Sequence, residues 1–152
     1  MKVITGDLIK LTLEGHFDVI IHGCNCFRTM GAGIAKQIKQ TFPEAYIADC
    51  NNPCPCLERL GNISYAVVKR LGRDFVVVNT YTQLNYSRVP GKVSVDYNAV
   101  RRSLRRVKSL FSGQKIGYPM IGCGLAGGDW DIISQIIDEE LAGEDHTLII
   151  LQ

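Results

Sequence analysis

Val19-Ile20-Ile21-His22-Gly23-Cys24-Asn25-Cys26-Phe27-Arg28-Thr29-Met30-Gly31-Ala32-Gly33-Ile34-Ala35 is the stretch whose reading decides the fold. It opens as a short β-branched run, passes through a glycine-rich loop and turns into a helical pattern. That pattern runs from Ala32 to about Phe42, sets Ile34, Ile38 and Phe42 on one face, and stops at Pro43. The same strand, loop and helix recur near the end of the chain. Gln114–Tyr118 reads as a strand, and Gly117-Tyr118-Pro119-Met120-Ile121-Gly122-Cys123-Gly124-Leu125-Ala126-Gly127-Gly128-Asp129-Trp130 as the loop. A helix after Asp129 then buries Ile132, Ile133, Ile136, Ile137 and Leu141.

Further strands are expected at Lys2–Ile4, Val19–Gly23, Ile63–Val68, Phe75–Asn79 and Thr147–Leu151. Leu71-Gly72-Arg73-Asp74 joins two of them as an antiparallel hairpin, so the sheet is mixed. Another helix is expected from Ser94 as N-cap, with Asp96 in its first turn and Val100, Leu104, Val107 and Phe111 as its apolar stripe. The alternation implies an α/β fold: a three-layer α/β/α sandwich with a central mixed sheet, in one domain over residues 1–152.

Composition bounds the function. With 17 basic and 15 acidic side chains the formal charge is +2, which argues against a protein that holds long nucleic acid by its phosphates. The face carrying Arg101, Arg102, Arg105, Arg106 and Lys108 reads as solvated surface rather than as a phosphate-binding stripe. No stretch reads as a signal peptide or is long enough to span a bilayer, so a cytoplasmic protein without a membrane partner is expected, as a monomer. The six cysteines are then free thiols. Cys50-x3-Cys54-x-Cys56 has three thiols but neither paired C-x2-C spacing nor a nearby histidine, so no metal and no cofactor is expected.

The two glycine loops carry the chemistry. Glycine lets backbone N–H groups converge on an anion, and a following helix adds unpaired donors and the positive end of its dipole. Two such loops at the ends of neighbouring strands suit a diphosphate. The other nucleotide motifs fail. G-x-x-x-x-G-K-[ST] is absent, as is G-x-G-x-x-G after the first strand, and the C-x5-R spacing of cysteine phosphatases finds Met30 where arginine belongs. Asp129-x-Asp131 is better explained by helix capping than by a phosphatase dyad.

Thr5-Gly6-Asp7-Leu8, Gly23-Cys24-Asn25-Cys26 with Gly31-Ala32-Gly33-Ile34-Ala35, and Ile121-Gly122-Cys123-Gly124-Leu125 together resemble the macrodomain family, across essentially the whole chain. The similarity is nearest to the yeast-type ADP-ribose 1″-phosphate phosphatases and their bacterial and phage relatives. It implies ADP-ribose or its 1″-phosphate as ligand, free or carried on an ADP-ribosylated protein. By that resemblance Asp7 accepts from the adenine amino group with Leu8 beside the ring. Asn25 hydrogen-bonds the distal ribose, Gly31 to Ala35 wrap that sugar and part of the diphosphate, and Gly23, Cys24 and Met30 count among the ligand-binding residues. Ile121, Gly122, Cys123, Gly124, Leu125, Ala126 and Gly127 cradle the diphosphate, while Asn79 and Tyr81 border the adenosine. The plainer readings stand beside these: Asp7 as a turn cap, Asn25 as a brace of its own loop, Trp130 as packing.

The branches differ in chemistry. The terminal ADP-ribose glycohydrolases that the family also contains use a lysine where this chain has Thr80-Tyr81-Thr82-Gln83-Leu84, and an aspartate where it has Ala126. Neither threonine nor glutamine supplies an amine. The Asn-Ala-Ala-Asn stretch of the branch that removes mono-ADP-ribose is absent too. His22-x-Cys24-Asn25-Cys26 resembles the phosphatase branch and implies His22 as general acid or base, with Asn25 and the loop amides stabilising the phosphate. The alternative is a structural histidine closing an apolar strand, and with it a non-catalytic ADP-ribose reader.

Overall fold

The strands β1 (Lys2–Thr5), β2 (Val19–Asn25), β3 (Ile63–Arg70), β4 (Arg73–Gln83), β5 (Ile116–Tyr118) and β6 (His146–Ile150) form one six-stranded sheet. A computed structural model describes residues 1–54, 56–85, 93–124 and 126–151. Leu125 and the other intervening residues lie outside that description. The strand order is β1-β6-β5-β2-β4-β3. Every neighbouring pair is parallel except β3 and β4, whose antiparallel register closes at Arg70↔Arg73. Leu71 and Gly72 between them both take positive φ, 53° and 74°, as a two-residue hairpin turn of matching twist requires.

Alternation along β2 sorts its side chains between two cores. Val19 and Ile21 join Val78, Tyr118 and Leu148 under α5 (Tyr97–Phe111) and α6 (Trp130–Glu140). Ile20 joins Val77 and Ile149 on the opposite face, under α1 (Leu8–Leu13), α2 (Gly33–Thr41) and α3 (Pro43–Asn51). The expected α5 stripe of Val100, Leu104, Val107 and Phe111 is buried, and each such side chain contributes about 1.5–3 kcal/mol when taken fully out of water. These are the three layers.

The boundaries differ from expectation for local reasons. Asp96 rather than Ser94 caps α5, its carboxylate accepting from Ala99 N at 2.9 Å. Ser94 and Val95 instead donate their N–H groups to Ala126 O, tying this segment to the second glycine loop. β4 continues past Asn79 because Thr80, Tyr81 and Thr82 are buried as the sheet carries on to Gln83. Pro43 ends α2 but occupies the first turn of α3, where its missing N–H has no partner to lose. The short α4 (Cys56–Arg59) falls in a stretch read as loop.

The parallel strands point their carboxyl ends at one edge. β2 leaves that edge toward α2 on one face, and its neighbour β5 leaves toward α6 on the other. A crevice opens where neighbouring strands exit to opposite sides.

Candidate functional site

A cleft of about 440 Å³ occupies that crevice, within the usual size of small-molecule sites. Of the residues expected there, Gly23, Cys24, Asn25, Met30, Gly31, Ala32, Gly33, Ile34, Ala35, Ile121, Gly122, Gly124 and Ala126 line it. The two loops therefore meet. Gly23 is what lets them: a Cβ there would lie 2.9 Å from Thr82 Oγ1 and 3.3 Å from Ile121 Cγ2. Gly33 opens α2 at φ 57°, a conformation L side chains rarely adopt.

The donors on the two sides differ. α2 has Ala32 at its N-cap, with no side-chain hydrogen bond, so its first amides face the cleft uncapped. α6 is closed by Asp129, whose carboxylate accepts from Asp131 N at 2.9 Å, so the donors of the second loop do not come from a helix end. Within that loop Ile121, Cys123, Gly127 and Gly128 spend their N–H groups on nearby carbonyls. The N–H groups of Gly122 and Gly124 make no hydrogen bond among the described residues. Asn25 lines the cleft while bracing its own loop. Its Oδ1 accepts from Phe27 N at 2.8 Å and its Nδ2 donates to Thr29 Oγ1 at 2.7 Å.

Other expected residues sit elsewhere. Asp7 stands exposed at the end of β1 and caps α1, accepting from Lys10 N at 3.1 Å. Leu8 packs into the core at 4% exposure. Cys123 and Gly127 belong to the second loop without lining the cleft. His22, Asn79 and Tyr81 are fully buried and do not line it. Asn79 Nδ2 donates to Ala45 O and Ser64 Oγ, which fixes its Oδ1 as acceptor for His22 Nε2–H at 2.6 Å. Burial drives the His22 imidazole down to about 4, against the raising effect of the Asn79 bond. It is a neutral, paired ring beneath the cleft floor. The thiols around it are equally inert. Burial pushes Cys26 up to about 11 and Cys24 well above the usual thiol range. Among the described residues, no three His, Cys, Asp or Glu side chains converge on a metal position.

Sequence reasoning missed Thr29, Asp49, Thr82, Gln83, Pro119 and Met120, all of which line the cleft. Thr82 Oγ1 is a hydroxyl sealed from solvent, with no hydrogen-bond partner among the described residues. Asp49, on α3, is buried beside the fully buried Arg59 of α4, and Tyr81 Oη donates to its Oδ1 at 2.7 Å. Burial raises the Asp49 carboxyl, and Tyr81 and Arg59 oppose that rise. No spacing rule connects these positions, which meet only once α3 and α4 fold against β4.

Three of the five basic residues on that face of α5 are held by protein groups. Arg101 and Arg105 reach Glu140 of α6 at 3.0 Å each, Arg101 also reaches Glu139 at 2.7 Å, and Lys108 donates to Ala142 O. Guanidiniums held on carboxylates are not an open track for a phosphate backbone.

Comparison with known proteins accords with this geometry. A protein of Enterobacteria phage T4, described as an uncharacterized 17.5 kDa protein in the tk-vs intergenic region, is 34% identical over 145 residues, 91% of this chain and 88% of its own. The DNA ADP-ribosyl glycohydrolase of Mycobacterium tuberculosis is 27% identical over 133 residues, 86% of this chain but 36% of that protein, so this chain spans about a third of its length. A protein of unknown function from Bacteroides thetaiotaomicron superposes with a TM-score of 0.78 at 26% identity, over 99% of this chain and 97% of the other. The model of the Macro domain matches residues 21–137, from within β2 to within α6, and the chain belongs to that family.

Proposed function

We propose that this macrodomain binds ADP-ribose, with the diphosphate between the two glycine loops, the purine toward Asp7 and the second ribose toward Asn25 and the start of α2. One observation carries the reading: unused donors meet in a single cleft. They are the uncapped amides of α2 and the N–H groups of Gly122 and Gly124. Donors left without partners are expensive in a cleft sheltered from water, and an anion satisfies several at once. The family is one of ADP-ribose binding and processing, and the mycobacterial relative bears a name of the same ligand class.

Hydrolysis draws less support. Release of phosphate from ADP-ribose 1″-phosphate, the activity implied by the resemblance, needs a proton carrier at the ligand. His22 is paired to Asn79 and lies off the cleft lining. Glycohydrolase chemistry through a lysine fails at Gln83, which lines the cleft without an amine. Binding without appreciable turnover fits the side chains present.

Titration calorimetry with ADP-ribose, ADP and AMP tests the reading. ADP-ribose and ADP should bind and AMP should bind far more weakly. Absence of binding by all three would end it. Thr82→Val replaces the orphan hydroxyl with a methyl of similar shape. Removing a sealed, unpaired hydroxyl should leave ADP-ribose affinity within about a factor of two and the melting temperature unchanged or raised.

A further inference from the structure

The order of strands gives the cleft two ends. Asp7 closes β1, the loops after β5 and β2 form the middle, and at the end of β4 Tyr81 reaches Asp49. Four strand spacings separate β1 from β4, roughly 19 Å at about 4.8 Å each. A diphosphate held in the middle therefore projects one half of its ligand toward Asp7 and the other toward Asp49.

Asp49 is 1% exposed yet lines the cleft. Its Oδ1 is committed to Tyr81 Oη, and Tyr81 is itself fixed by Ser64 Oγ at 2.7 Å. Arg59 stands behind, its Nη1 4.0 Å from Oδ1, with its donors taken by the carbonyls of Cys54, Cys26 and Asn52. Asp49 Oδ2 has no hydrogen-bond partner among the described residues and is not sealed away from open space. The side chain thus offers the cleft a single preoriented acceptor.

We propose that Asp49 reads the sugar end of the ligand, accepting hydrogen bonds from the hydroxyls of an unphosphorylated pentose and so selecting ADP-ribose over its 1″-phosphate. The proposal rests on the cleft being an ADP-ribose site. A carboxylate oxygen accepts and cannot donate, so it complements sugar hydroxyls. To the oxygens of a phosphate monoester the same atom offers no donor, and its charge opposes theirs, although the Arg59 guanidinium 4.0 Å from Oδ1 offsets part of it.

Calorimetry with ADP-ribose, ADP-ribose 1″-phosphate and ADP, on wild type and Asp49→Asn, tests it. Wild type should prefer ADP-ribose to its 1″-phosphate by at least about tenfold, as expected for a hydrogen bond to a charged group. Asp49→Asn should lose about that factor for ADP-ribose, nothing for ADP, and narrow or reverse the preference. Equal losses for ADP and ADP-ribose would make Asp49 a structural residue and overturn the proposal. Wild-type protein that prefers the 1″-phosphate would overturn it whether or not the variant folds. If wild type binds ADP but gains nothing from the second ribose, the proposal falls while the cleft reading stands. Binding of neither overturns both.

Discussion

Burial holds His22 neutral, and its protonation is therefore linked to stability. In the folded protein the ring titrates at about 4, against 6.5 for an unconstrained histidine. Between those values the unfolded chain binds a proton that the folded chain refuses, so stability falls as pH drops from 6.5 toward 4 and loses nothing more on this account below 4. The gap corresponds to about 3 kcal/mol at full extent. Urea melts between about pH 4 and 8 should give wild type a steeper loss across that window than His22→Gln, by about one proton. Equal slopes would place the titrating group elsewhere. At this scale the sequence was only half legible. The run Val19-Ile20-Ile21 announces a strand, but which way His22 points depends on the pairing His22↔Asn79, and that register is a tertiary fact. Asp49 and Thr82 were invisible for the same reason: an aspartate within a helix and a threonine within a strand carry no local sign of the cavity they face.

The start of α2 sets function against stability. Ala32 has the extended backbone of an N-cap, φ −149° and ψ 160°, without a side chain able to cap. Ala32→Asp should supply one, stabilising the helix by about 1 kcal/mol and raising the melting temperature by about 2–4 °C. The same carboxylate would occupy the amides and place a negative charge where the diphosphate belongs, so ADP-ribose affinity should fall by at least about tenfold. A variant that is more stable and binds as well as wild type would remove these amides from the site. The elements missed from the sequence were the short ones. α1 spans 6 residues and α4 spans 4, too few for a helical period to show. α3 hid behind Pro43, which ends one helix and begins the next. Long elements with buried stripes, such as α5, were plain because periodicity accumulates with length.

The sheet acts as a ruler for the whole molecule. Sequence alone gave alternating strands and helices and a hairpin, which suffices for the class of fold. The order β1-β6-β5-β2-β4-β3 is not written in any segment, because it arises from how non-local strands share two cores. That order brings the two loops, separate in the chain, to adjacent strands β2 and β5, and a ligand bridging them adds a link between distant parts of the chain. Binding to the folded state alone stabilises it by mass action, about 2.7 kcal/mol at a hundredfold excess over the dissociation constant. For a chain of this length that is a rise of roughly 5–11 °C in melting temperature. AMP, able to span only the Asp7 end and part of the cradle, should give a smaller shift at equal concentration. Hydrogen exchange locates the effect: ADP-ribose should slow exchange of the Gly122, Gly124 and early α2 amides together, since one diphosphate holds both sides. Protection confined to one loop would mean that the two do not act as a single clamp, and the ordering of ligand parts along the sheet would go with it.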